Sequence, residues 1–194
     1  LHGAVQEARH VFIGQGLSLF TNRNIDILEI GFGTGLNTLI TLVHAEKLKL
    51  KIRYTGVEAY PVSEAELKQL NYISVLKAGD FESHFQKIHS CPWEKDTSIT
   101  KNFILKKRLH DFMDIEDKNN FDLVYFDAFG ARVQPELWTE IIFKKMFDAM
   151  RDSGILVTYS AKGSVRRAMQ SVGFKVERLP GPPGKREMLR ATKG

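Results

Sequence analysis

Short apolar runs alternate along nearly the whole chain with turns and with stretches whose apolar residues recur at helical spacing. Residues 25–30 (IDILEI) are compact and β-branched, the pattern of a strand buried on both faces. A glycine-rich turn at 31–35 follows. Residues 36–47 then place Leu36, Leu39, Ile40 and Val43 along one face of a helix. Residues 51–57 predict a second strand ending at Glu58, and Pro61 and Ser63 open a helix carrying Ala65, Leu67 and Leu70. Within 80–100, Phe81, Phe85 and Ile88 predict a short helix, and 91–100 reads as loop. Strands are predicted at 102–109 and 121–126, and a helix at 135–150. A polar turn, Arg151-Asp152-Ser153, leads into a strand at 154–160. A helix at 164–171 stops at Gly173, and strands at 174–179 and 187–191 close the chain around a Pro/Gly loop at 180–184.

Strands alternating with helices predict a doubly wound α/β domain over residues 1–194, with 1–24 as an N-terminal extension and 80–100 as an insertion. Its sheet is parallel, covered on both faces, and binds ligands beyond the carboxyl ends of its strands. The two late strands predict an antiparallel pair at one edge. A length of 194 residues suits one core, and no repeat or low-complexity linker divides it.

Hydrophobic residues at 43% and charged residues at 26% match a folded globular domain rather than a disordered chain. No apolar run approaches the roughly 18 residues of a membrane span. Positions 1–9 carry His2, Gln6, Glu7 and Arg9 where a signal peptide would need an apolar stretch, so the expectation is a cytoplasmic protein with no membrane partner. Cys91 is the sole cysteine, which excludes an intrachain disulfide within this sequence. His84, His89 and Cys91 come nearest to a ligand cluster but read as a solvated loop, and no metal is expected. The formal net charge of +5 favours a polyanionic partner only weakly.

The informative stretch is Glu29-Ile30-Gly31-Phe32-Gly33-Thr34-Gly35. Glycines at alternate positions allow a sharp strand-to-helix turn and close approach of a ligand to the backbone. A dinucleotide site would instead use G-x-G-x-x-G facing pyrophosphate. Here the spacing is G-x-G-x-G behind an acid, which suits S-adenosylmethionine, a ligand with ammonium and sulfonium groups and no phosphate. The pattern resembles the first motif of class I methyltransferases; a tight turn with no ligand is the alternative. Glu58, at a strand end, can accept both ribose hydroxyls. Asp111 is placed for the adenine amino group, with Phe112 against the ring. Either acid alone reads equally well as an ordinary exposed carboxylate.

Residues 121–126 end in Asp127, an acid at the mouth of the sheet. Methyl transfer needs an aligned acceptor lone pair, and an amine acceptor must first lose a proton. Asp127 can bind and deprotonate such an amine, or it can cap the following turn or bind cofactor. Trp138 reads as packing rather than as a stacking platform.

Several segments together resemble the methyltransferase half of the MnmC-type tRNA wobble-uridine modification family. They are residues 2–12 (HGAVQEARHVF), the loop 29–37, Asp127-Ala128-Phe129 with 134–139 (QPELWT), 158–163 (TYSAKG) with Val165-Arg166-Arg167, and 184–189 (GKREML). The resemblance implies a class I, Rossmann-like fold and methylation of the exocyclic amine of 5-aminomethyl-(2-thio)uridine in the tRNA anticodon arm. It implies that Glu29, Gly31, Gly33 and Glu58 hold the cofactor, with Asp127 catalytic at the acceptor; Phe32, Gly35, Asn37 and Asp111 are further candidates for the cofactor site. Phe129 is then a candidate to stack on the base. Lys162, Arg166, Arg167, Lys185 and Arg186 are candidates for phosphate contacts. Residues 106–108 (KKR) read as a solvated strand edge rather than an RNA contact. The family's aromatic-Asp-Gly-Phe motif here reads Phe126-Asp127-Ala128-Phe129, which bears on the acceptor pocket. No flavin oxidase half follows in this sequence, so a stand-alone transferase is expected. Alternatives are a methyltransferase of a small-molecule or protein amine, and a cofactor-binding scaffold without catalysis. Oligomeric state is not legible.

Overall fold

The computed structural model describes residues 2–130 and 134–194. Among them are eight strands: β1 (Asn24–Ile30), β2 (Lys51–Glu58), β3 (Thr97–Thr100), β4 (Phe103–Leu109), β5 (Phe121–Phe126), β6 (Met150–Thr158), β7 (Phe174–Pro180) and β8 (Glu187–Lys193). They form one sheet in the order β3-β4-β2-β1-β5-β6-β8-β7. The pairs from β4 to β6 are parallel, and β8 runs antiparallel to both β6 and β7. The helices are α1 (His2–Ala8), α2 (Leu36–Ala45), α3 (Glu64–Leu67), α4 (Tyr72–Leu76), α5 (Glu82–Ser90), α6 (Glu140–Ala149) and α7 (Gly163–Ser171). No helix among the described residues is long and apolar enough to cross a membrane.

Two cores lie on the two faces of the sheet, sorted by strand alternation. Ile27, Tyr54, Phe103, Leu105 and Tyr125 face a core shared with Leu39 and Ile40 of α2. Leu28, Ile30, Val57, Val124 and Phe126 face a second, filled by Ile142, Phe143 and Met146 of α6 and Val165 and Met169 of α7. Every residue of β5 is buried, which explains why its sequence reads as an unbroken apolar run around Asp122. Asp122 itself is held at the amino end of the sheet, where Arg151 bonds both Asp122 (2.7 Å) and Asp26 (2.9 Å). The N-terminal segment packs into the first core through Val5, Ala8, Val11, Phe12, Ile13 and Leu17, with the Phe12 ring 5.0 Å from that of Tyr125.

Four expectations are corrected. The 91–100 loop contains β3, which pairs antiparallel with β4 and gives the sheet a second antiparallel edge. The 135–150 helix is broken: Pro135–Trp138 is a 3-10 turn, and α6 begins only after Thr139 adopts an extended backbone (φ −97°, ψ 163°). The Arg151-Asp152-Ser153 turn lies inside β6 as an irregularity, with Ser153 at φ 62° and a register shift against β5. Residues 106–108 are not an open edge: β2 pairs with all three on one side, and Trp93 bridges Lys107 on the other. Lys107 is 2% exposed, donates to the His89 carbonyl at 2.8 Å and sits 5.0 Å from the Trp93 ring centroid. Burial drives this lysine below its ordinary pKa.

Candidate active site

The carboxyl ends of β1, β2, β4 and β5 open into a cavity of about 440 Å³. Its floor is the glycine turn. Gly31, Gly33 and Gly35 have φ of +87°, +49° and +70°, a region that disfavours residues with a Cβ. A Cβ on Gly31 would lie 2.7 Å from the Asp127 carbonyl oxygen, so only glycine lets the β1 and β5 ends approach this closely. A Cβ on Gly33 would meet nothing nearer than the Gly31 oxygen at 3.9 Å, leaving open space over a cavity-lining backbone. Phe32 is pressed onto Gly56 of β2, where an added Cβ would come within 2.4 Å of its ring. The turn is tied to β2 by the Gly31 and Phe32 amides, both donating to the Val57 carbonyl at 3.1 Å.

The acids take different positions around this floor. Glu58 is buried and accepts from the Gly33 amide (2.9 Å) and the Tyr60 amide (3.0 Å), so it braces the turn while lining the cavity. Asp111 also lines the cavity and caps a 3-10 turn, accepting from the Met113 amide at 2.8 Å, with Phe112 beside it. Asp127 lines it at the end of β5. Glu29 and Gly35 do not reach the cavity wall. Gly35 backs onto His89, whose side chain would be 3.3 Å from an added Cβ. Glu29, 1% exposed, lies behind Asn37 and accepts from Asn37 (2.8 Å), Tyr54 (2.8 Å) and Thr38 (3.4 Å).

Asn37 links this buried acid to Asp127: its amide nitrogen also donates to Asp127 Oδ2 at 2.8 Å. With both amide hydrogens committed, Asn37 Oδ1 remains buried without a partner, a free acceptor on a cavity-lining residue. Burial first, and the nearby Asp127 charge second, push Glu29 up to about 8. Burial likewise raises Asp127 to about 7, against the opposing Asn37 hydrogen bond. Glu7 raises it further and Lys185 lowers it.

The residues fit the proposed donor. Three carboxylates and no cationic side chain line the cavity among the described residues, which disfavours a pyrophosphate ligand and suits one bearing ammonium and sulfonium charge. The space over Gly33 and the unpartnered Asn37 Oδ1 supply a cradle and an acceptor. Thr34 of the glycine turn also lines the cavity, together with Tyr60 (79% exposed), Val62 and Tyr72, which no motif singles out. Thr34 and Tyr72 share a 2.9 Å hydroxyl hydrogen bond.

Phe129 stands on the rim, 69% exposed, and Tyr159 and Gln134 share that end of the cavity. Trp138 is buried packing, as expected, and its indole N–H donates to the Phe129 carbonyl at 2.8 Å. Lys162 and Arg167 are exposed at the start of α7 and Arg166 is half-buried; none lines the cavity. Arg186 and Lys185 are both exposed, and Lys185 is paired with Glu7.

Comparisons with known proteins agree with this architecture. MnmC of Idiomarina loihiensis, a tRNA 5-methylaminomethyl-2-thiouridine biosynthesis bifunctional protein, is 27% identical over 97% of this chain. The protein of that name from Paracidovorax citrulli is 29% identical over 98%. This chain spans about a third of their lengths, 34% and 32%. The crystal structure of MnmC2 from Aquifex aeolicus superposes with a TM-score of 0.67 at 25% identity, covering 88% of this chain and 53% of that one. Spermidine synthase from Thermotoga maritima shares the fold, with a TM-score of 0.58 at 16% identity over 98% of this chain and 59% of that one. A family model for S-adenosyl-L-methionine-dependent methyltransferases matches residues 85–194, from α5 through β8. This chain therefore belongs to the S-adenosyl-L-methionine-dependent methyltransferases, with a class I fold.

Proposed function

We propose that the chain methylates the exocyclic amine of 5-aminomethyl-(2-thio)uridine at the wobble position of tRNA. The observation that carries this reading is Asp127, a carboxylate on the wall of a cavity that also holds the glycine cradle and the Phe129 rim. When bound, S-adenosylmethionine supplies an electrophilic methyl group on a sulfonium. Gly31 and Gly33 offer it bare backbone, Glu58 can accept from its ribose hydroxyls, and Asn37 Oδ1 can accept from its ammonium. Asp111 and Phe112 are assigned to its adenine.

An alkylammonium acceptor must lose a proton before its nitrogen can attack. A carboxylate raised to about 7 is a stronger base than an ordinary aspartate and still attracts the cation. Asp127 is assigned that role. Phe129 presents a flat exposed face on which an unstacked base can lie. Lys162, Arg166, Arg167 and Arg186 are assigned to anticodon-arm phosphates. The MnmC relatives, named for biosynthesis of the methylated nucleoside, 5-methylaminomethyl-2-thiouridine, support the substrate.

The test is nucleoside mass spectrometry of tRNA carrying the aminomethyl precursor, incubated with the protein and isotopically labelled donor. One labelled methyl on the precursor nucleoside is the expected result. Transfer to a metabolite or peptide amine but to no tRNA would overturn the acceptor. S-adenosylhomocysteine binding with no turnover on any acceptor would indicate a scaffold.

A further inference from the structure

Contacts between the N-terminal helix and the C-terminal hairpin lie beside the Tyr159 end of the cavity. Glu7 on α1 accepts from Lys185 Nζ, with both carboxylate oxygens within 2.9 Å. Lys185 lies in the loop between β7 and β8, and His10 Nε2 ties that loop down again, 2.8 Å from the Pro180 carbonyl oxygen. The same Lys185 ammonium stands 4.2 Å from the Tyr159 ring centroid. Tyr159 lines the cavity and donates its hydroxyl to the Ala128 carbonyl at 2.7 Å, one residue from Asp127. Ala4, three residues before Glu7 on α1, lines the cavity as well.

Lys185 is exposed, yet its ammonium is already engaged within the protein. Its charge is matched by a carboxylate, its direction is fixed by a ring, and it stands within electrostatic reach of Asp127. Among the described residues, the other groups set against Asp127 are few. Asn37 of α2 is neutral, and Glu29 of β1 lies behind it. The Tyr159 phenol, raised to about 12, stays neutral at physiological pH. Glu7 and Lys185 add charges of opposite sign whose effects on Asp127 oppose each other.

We infer that Glu7 and Lys185 form a charge-compensated positioning pair for methyl transfer, which fixes the Tyr159 wall and balances the field at Asp127. Its purpose rests on the assignment of Asp127 to the acceptor amine. Its physical effect does not. Removing the Glu7 charge alone leaves an uncompensated cation, which weakens Asp127 as a base and repels an ammonium acceptor. Removing the Lys185 charge alone leaves an uncompensated anion, which holds the proton on Asp127 more tightly.

The experiment is a pH titration of the ¹³C-carboxyl signal of Asp127 in aspartate-labelled protein, assigned by its loss in Asp127→Asn. The titration midpoint should fall in Glu7→Gln and rise in Lys185→Gln, each by on the order of half a pH unit for partly screened charges. Lys185→Arg should leave it unchanged, and the swap Glu7→Lys with Lys185→Glu should restore it. Midpoints that coincide in all variants, or that move the same way in both single variants, overturn the pair. With tRNA as acceptor, the pH at which kcat/KM rises should follow the same order while S-adenosylhomocysteine affinity stays constant. The opposite shifts without activity on tRNA would support the pair and reject the substrate, so the two claims fail separately.

Discussion

The Asn37 side-chain amide donates to Glu29 Oε1 and to Asp127 Oδ2, at 2.8 Å each. One neutral group on the first turn of α2 thus orients two acids, of which only Asp127 meets the cavity. Asn37→Ala should destabilise the fold by about 1–3 kcal/mol, because buried acceptors lose their donor. Loss of Oδ1 should also weaken S-adenosylhomocysteine binding at least about tenfold, or 1.4 kcal/mol. Chemical denaturation and calorimetry check both effects. Wild-type values in each would remove Asn37 from the site.

The glycines should separate fold from binding. Gly31→Ala drives a Cβ to 2.7 Å from the Asp127 carbonyl and should yield a poorly folded protein. Gly33→Ala meets open space, so it should fold with a backbone cost of about 1–2 kcal/mol while filling the cradle and weakening cofactor affinity. Thermal melts with and without S-adenosylhomocysteine distinguish the two. Undiminished ligand stabilisation of Gly33→Ala would argue against a ligand on this turn.

Stability should fall as pH rises. Glu29 stands at about 8 against an ordinary 4.5, and Asp127 at about 7 against 3.8. Between those ordinary and raised values the folded state holds protons that the unfolded chain has released. Stabilisation is therefore full below the ordinary values and is lost towards pH 8, at up to about 1.4 kcal/mol per pH unit for each group. Glu29→Gln should flatten the profile. Urea midpoints measured across that window report the slope, and an unchanged slope in Glu29→Gln would mean that Glu29 is ionised throughout.

Tyr60 and Phe129 are exposed aromatics on one cavity, Tyr60 two residues past Glu58 on the donor side and Phe129 two past Asp127 on the acceptor side. Tyr60→Ala should raise the KM for S-adenosylmethionine with little change for tRNA. Phe129→Ala should raise the KM for tRNA, by up to the roughly 1–3 kcal/mol of one base stack, with the donor unaffected. Steady-state kinetics in both substrates would show the split; equal effects of either variant on both substrates would refute the assignment.

Much of this architecture was legible because its signals are local. The β-branched runs of β1 and β5, the glycine turn and the stop at Gly173 each depend on a few adjacent residues. What escaped depends on tertiary partners. β3 is four residues of mixed polarity that become a strand only beside β4. Lys107 reads as solvated until the Trp93 ring and the His89 carbonyl are placed around it. Pro135 marks a helix start, but nothing local reveals the extended backbone at Thr139. Glu29 precedes the glycine turn, so proximity in sequence suggested ligand contact; strand alternation turns it to the far side of Asn37. Glu7 and Lys185, 178 residues apart, carried no shared pattern at all.

The central claim is that Asp127 serves the acceptor rather than the donor. Its most direct test compares single-turnover methyl transfer to precursor tRNA with S-adenosylhomocysteine affinity, in the wild type and in Asp127→Asn. The account predicts a rate lowered by about 10²–10⁴-fold, the range for loss of a general base, with affinity changed by less than about tenfold. Equal losses of rate and affinity would place Asp127 in the cofactor site and contradict it.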